Sequence, residues 1–262
     1  MGRRKSFCET IGDWPVEQRI DRAKDLTNKL TYRIQDVIQI HAANEIVLYS
    51  SELSKQIPKS LATHAFNVFR DSQFKFEIIR LVALWDKPGD NIVSIPTVIA
   101  LIDDPDVIEK LVTETFQVHV NRKVADLNPH HDPKIEKTVD ELIDENQREF
   151  AKKQCDKCRA VLGICIQTFQ DTREAEKTRS IRNLRDYAAH SFTKSRRDAG
   201  SPFAKTKYGE ETQLFHKTIK LIEDLYCWVN GTSFDISGDC VDQAKGRAEE
   251  LWNNCHFDIP KR

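Results

Sequence analysis

Residues 94–102 read SIPTVIALI, and how that stretch is read decides the fold class. It is short and almost wholly apolar, so length alone leaves strand against helix open. Ser94 followed by Pro96 tips the reading to helix, because a serine cap with proline in the first turn is a helix start. Working outward, KPGDN (87–91) is a strong breaker before it, and Asp104-Pro105 after it again places a cap ahead of proline, opening a helix to about Asp126. If 94–102 is helical, nothing else in the chain calls for a sheet.

Upstream, 1–15 reads as a loose basic arm ending at Trp14-Pro15. Apolar residues then fall at helical spacing from Val16 to about Ile57, through Leu26, Leu30, Ile34, Val37 and Ile38. Polar His41 and Glu45 interrupt that stripe, and Pro58 ends the segment. Residues 59–86 read as a second helix, with Phe66, Phe69, Phe76, Ile79, Val82 and Ala83 as its core face. Downstream, NPHHDP (128–133) breaks the chain, and a long helix runs on through Ile135, Val139, Leu142, Ile143 and Phe150 to about Phe169. A helix from about Arg173 to Thr193 follows, then a loop rich in Gly, Pro, Lys and Arg (195–209), a helix at 210–230 stopped by Asn230-Gly231, and a last helix at about 239–253. The expectation is an all-α, multi-helix bundle.

Composition narrows the possibilities. Of the 262 residues, 39% are hydrophobic and 31% charged, which describes a globular chain and not a disordered one. No apolar run approaches the roughly 20 residues that cross a bilayer. MGRRKSFCETIGDW lacks the apolar stretch of a secretory signal, and seven cysteines, an odd number, fit reduced thiols in the cytoplasm. The formal net charge is −1, but charge is unevenly spread. Residues 173–207 hold ten Lys/Arg against four Asp/Glu, while 132–150 hold three against seven. A polyanion would be drawn to the first of these segments.

That basic segment contains IRNLRDYAAHS (181–191). With about 100° per residue, Ile181, Leu184 and Ala188 share a buried face, and Arg182, Asn183, Arg185, Asp186 and His190 sweep a polar arc beside it. Arg185 and His190 lie about 7.5 Å apart along the axis, a gap that arginine's length spans. Histidine exchanges a proton near neutral pH, and arginine grips two phosphate oxygens. RNA cleavage without metal needs both: a base for the 2′-hydroxyl proton and a cation for the anionic transition state. Asp186 or Asn183 would orient a side chain or the sugar. The bare spacing is not evidence, since chance gives about 0.5 such Arg-His pairs in this composition, and a charged helix face is usually a solvated one.

The context adds information. RDYAAH, with Arg185, Asp186 and His190, resembles the signature of the HEPN superfamily. RLVALWDKPGDNIVSIPTVIALI (80–102) resembles the matching region of its AbiU-type abortive-infection branch, where an apolar helix end, an aromatic-Asp step and a short loop lead into a short apolar helix. The resemblance covers about residues 15–230. The expected organisation is a basic arm (1–15), a HEPN-like helical domain (16–230) and a helical extension packed on the same domain (231–262). It implies a metal-independent endoribonuclease that needs no cofactor and leaves 2′,3′-cyclic phosphate ends, of the kind that serves as a toxin or antiviral effector. It also implies a homodimer that joins two motifs in one cleft, RNA as substrate, and an antitoxin or regulatory protein as a further partner. Carried over by position, Arg185 and His190 are the catalytic pair and Asp186 supports them. Arg179, Arg182, Asn183, Arg196 and Arg197 are expected to bind RNA, with Phe203 or Tyr208 of the loop stacking on a base. The alternative is a catalytically silent HEPN-like module that binds RNA or a partner protein.

Other candidates rank lower. CDKC (155–158) with Cys165 invites a zinc site, but a structural site wants four ligands, and Cys158, Leu162 and Cys165 fit a buried stripe. His130-His131 reads as an exposed loop pair. Trp85-Asp86 reads as packing first and as a contact with the cleft second.

Overall fold

The computed structural model describes residues 6–57, 61–121, 133–190 and 210–259, apart from the side chains of 133–140, 176–177, 184, 187–190 and 210. Among the described residues there are ten α-helices, one π-turn and no strand. The helices are α1 (Phe7–Ile11), α2 (Val16–Tyr49), α3 (Ser51–Gln56), α4 (Leu61–Ala83), α5 (Ile95–Ile102), α6 (Pro105–Val120), α7 (Pro133–Glu174), α8 (Glu176–His190), α9 (Glu210–Asn230) and α10 (Val241–Asn253). The π-turn, Ile236–Cys240, precedes α10.

SIPTVIALI is helical, as α5, with the Ser94 hydroxyl accepting from the Thr97 amide. Every residue of α5 except Ala100 is buried, which explains its unbroken apolar sequence. The long α2, about 50 Å from end to end, is the axis of the bundle. It packs against α4, α5, α6, α9 and α10. Its buried residues Ile20, Ala23, Leu26, Leu30, Ile34, Val37 and Ile38 recur at three- and four-residue intervals, which keeps them on the faces turned to those neighbours. α6 pairs with α7, α7 with α9, and α8 lies on α4.

Polar groups fix the ends of this arrangement. Arg19 on α2, almost fully buried, donates to the Leu101 carbonyl (3.0 Å) and to Asp104 (2.7 Å), which itself caps α6. In the C-terminal third of α2, His41 bonds Glu77 of α4 (2.6 Å), and Asn44 donates to the other Glu77 oxygen (2.7 Å). His41 also stacks on Phe215 of α9, with centroids 3.9 Å apart. The two residues' neighbourhoods therefore join α2, α4 and α9 through a buried polar cluster. Gly231, at φ 69°, ends α9 in the left-handed conformation that glycine takes without cost.

Four local expectations need correction. The segment expected to be a loose arm contains a helix, α1, at whose start Ser6 and Glu9 form a capping box, and Ile11 is buried. The helix expected to reach Ile57 stops at Tyr49, where Ser50 turns out of helical geometry and caps α3 instead. The core face of α4 is Phe74, Glu77, Ile78, Leu81 and Val82; Phe69 and Phe76 are exposed. Glu77 joins that face because His41 and Asn44 satisfy its carboxylate inside the bundle. Phe66 and Phe69 instead meet Phe257 and Trp252 from the far end of the chain. In α7 Leu142 and Phe150 are exposed, and the buried stripe is Ala151, Cys158, Leu162, Cys165 and Phe169.

Candidate functional site

The site is built where α8 crosses the corner between α4 and α5. The corner begins with Trp85, which is 2% exposed. Its ring stacks on Phe169 of α7, and its Nε1 donates to the Thr218 hydroxyl of α9 (2.9 Å). Thr218 passes its own proton to the Leu214 carbonyl (2.6 Å), so every polar atom in this buried chain has a partner. Asp86, next along, carries its carboxylate out toward α8.

On α8, Ile181 is buried as the helical arc required. Arg185 is 27% exposed by its side chain and is held by two carboxylates. Its Nη1 donates to Asp86 (2.6 Å) and its Nε to Asp186 (2.9 Å). Burial pulls the Arg185 pKa down, but the Asp86 hydrogen bond and the charges of Asp186 and Asp86 more than reverse this. Arg182 sits deeper, with Nη2 3.4 Å from the Trp85 carbonyl. Its pKa is lowered, first by burial and then by the like charges of Arg173 and Arg185. It stays a cation at any ordinary pH. Two arginines and two carboxylates thus meet on one side of α8.

The remaining expected residues divide. Asn183 and Arg179 are exposed on α8. His190 is the last residue of α8, but its side chain lies outside the described residues, as do Arg196, Arg197, Phe203, Tyr208 and the His130-His131 pair. The structure therefore brings Arg185, Asp186 and Arg182 together. To this set it adds Asp86, a partner that helical periodicity around 181–191 could not reveal; its only trace was the aromatic-Asp step. Trp85 is packed in the core, and Asp86 is paired with Arg185 of α8.

The CDKC cysteines behave as apolar side chains. Cys158 and Cys165 are buried, and burial raises both thiol pKa values, that of Cys165 to about 12. Cys155 points its thiol at the Val112 carbonyl (3.4 Å). Among the described residues no group of three or more His, Cys, Asp or Glu gathers as a metal site would require. None of the described helices is long and apolar enough to cross a membrane.

Among the described residues the chain is wholly helical, and its match to a family model shows it to be a HEPN-type domain. More narrowly, the chain belongs to the HEPN family described as AbiU2, whose model matches residues 20–251. The match continues past residue 230 through nearly all of α10, farther than the sequence resemblance reached. No curated protein and no solved structure matches the chain.

Proposed function

We propose that this chain is a metal-independent endoribonuclease of HEPN type, acting in the cytoplasm as a toxin or antiviral effector. The observation that carries the reading is Arg185: a half-buried guanidinium, oriented by Asp86 and Asp186, whose other N–H groups have no acceptor among the described residues. A guanidinium in this state is prepared to receive phosphate oxygens without losing further side-chain entropy. His190, five residues along the same helix, is the base. It takes the 2′-hydroxyl proton, the 2′-oxygen attacks the adjacent phosphorus, and the 5′-oxygen leaves with a proton. The products are a 2′,3′-cyclic phosphate and a 5′-hydroxyl. Arg185 stabilises the negative charge on the non-bridging oxygens. In a two-fold homodimer one His190 serves as base and its mate as acid. Asp186 holds the Nε edge of Arg185, and Arg179, Arg182 and Asn183, with Arg196 and Arg197 of the following segment, grip the RNA backbone.

One observation favours a second reading. Asp86 and Asp186 match Arg182 and Arg185 in number, so these four side chains carry no net charge to draw a polyanion. A silent module that binds RNA or a regulatory protein, such as an antitoxin, would tolerate that balance. The test incubates purified protein with diverse RNAs in EDTA, beside Arg185→Ala and His190→Ala. Cleavage by the wild type that both substitutions abolish, with folding intact, supports the nuclease. Salt-sensitive RNA binding without cleavage supports the module.

A further inference from the structure

The corner that leads from α4 into α5 is held more rigidly than a connecting turn requires. The Trp85 amide donates to the Val82 carbonyl (2.9 Å), and the Asp86 amide to Ala83 (3.3 Å), continuing the end of α4. The Leu84 carbonyl accepts from Ile95, the first residue of α5 (2.8 Å). The Trp85 indole is fixed by Phe169 from α7 and by Thr218 from α9. Four helices therefore set the position of two consecutive residues, and both of those residues face arginines of α8. The Trp85 carbonyl receives Arg182, and the Asp86 carboxylate receives Arg185.

We infer that Asp86 is a positioning residue for Arg185, and that residues 85–86 are a fixed clamp on the two inner arginines of the motif helix. The geometry stands by itself; the kinetic consequence rests on the nuclease reading. Asp86 takes Nη1 and Asp186 takes Nε, which restrains the guanidinium from two directions. Asp86 is also part-exposed, at 43% of its side chain, so its charge opposes an incoming phosphate. It lowers affinity for RNA while it fixes the cation's placement. A residue that only held the fold together would do neither.

These opposed effects separate in an experiment. Asp86→Asn keeps the shape and removes the charge; Asp86→Glu keeps the charge on a longer stem. Expected for Asp86→Asn is a fall in kcat on the order of tenfold to a hundredfold, the usual penalty for a displaced catalytic group, with KM unchanged or lower and the melting temperature held. Asp86→Glu recovers part of kcat. Independently of activity, the Arg185 Nε–H resonance, identified by its loss in Arg185→Lys, is expected to shift or broaden in Asp86→Asn and to be restored toward the wild-type signal in Asp86→Glu. An unmoved resonance, or an unchanged kcat with a raised KM, overturns the inference. If the wild type cuts no RNA while the resonance responds, the nuclease reading fails and the clamp stands. If the wild type cuts RNA and neither kcat nor the resonance responds to Asp86, the clamp fails and the nuclease stands.

Discussion

Replacing Glu77 by alanine removes the acceptor at the centre of the bundle's buried polar cluster. Glu77 is 1% exposed and holds His41 at 2.6 Å and Asn44 at 2.7 Å. Truncation leaves a histidine and an amide without those partners, wedged between α2, α4 and α9. Removing one member of a buried charged pair costs about 3–5 kcal/mol, because the group left behind has lost both water and partner. In a chain of this size that is a fall in melting temperature of roughly 6–20 °C. The pH dependence supplies a second reading of the same pair. Burial lowers the His41 pKa, but the Glu77 hydrogen bond and charge, aided by Glu45 and Glu211, leave it above the ordinary 6.5. A raised histidine pKa stabilises the fold fully below the unfolded value and loses that contribution as pH rises through the folded one. Wild-type stability is therefore expected to decline from about pH 6.5 upward, and Glu77→Gln, which keeps an acceptor but not the charge, flattens the decline. Denaturant unfolding of the wild type, Glu77→Ala and Glu77→Gln between pH 6 and 9 measures both effects. A Glu77→Ala variant within about 1 kcal/mol of wild type, with the same pH profile, would refute the reasoning.

Three further outcomes are expected. Asp104→Ala loses a helix cap and the partner of buried Arg19, about 2–4 kcal/mol together, and Asp104→Asn loses less; denaturant midpoints report both. Burial raises the Asp104 pKa, but bonds from Arg19 and the Asp106 and Val107 amides bring it below 3.8, so this contribution is present above that pH and disappears as acid titrates the carboxylate. Trp85→Phe leaves Thr218 without its donor and costs about 1–2 kcal/mol by thermal unfolding, less than additively with Thr218→Val. Native Cys165, buried and with its pKa raised to about 12 by burial and the charge of Asp224, resists alkylation at pH 8 while exposed Cys8 reacts, as peptide mass mapping will show.

Element order was legible because this chain announces its helix ends. Ser94 with Pro96, Asp104 with Pro105 and Asn230 with Gly231 each act through their own few neighbours, so no knowledge of the fold is needed to read them. The Ser6-x-x-Glu9 box is equally local, but it sits in a basic segment whose charge suggests a loose arm. The buried face of α4 was not legible by the same means. Glu77 belongs to it only because His41 and Asn44 lie across the bundle, and a lone glutamate in a sequence says nothing of distant partners. The candidate site divides along the same line. Arg185, Asp186 and Arg182 share one helix, and their common face follows from its pitch. Asp86 reaches Arg185 across 99 positions of sequence, through a corner fixed by α5, α7 and α9.

The most direct measurement of the central claim uses RNA oligonucleotides bearing a single 2′-deoxy nucleotide at the mapped cleavage position, incubated with wild-type protein in EDTA. If Arg185 and His190 direct attack by the 2′-oxygen, the all-ribose strand is cut to a 2′,3′-cyclic phosphate and a 5′-hydroxyl, and the 2′-deoxy strand stays intact at that bond. Equal cutting of both strands, or cutting that appears only when a divalent metal is restored, contradicts the account.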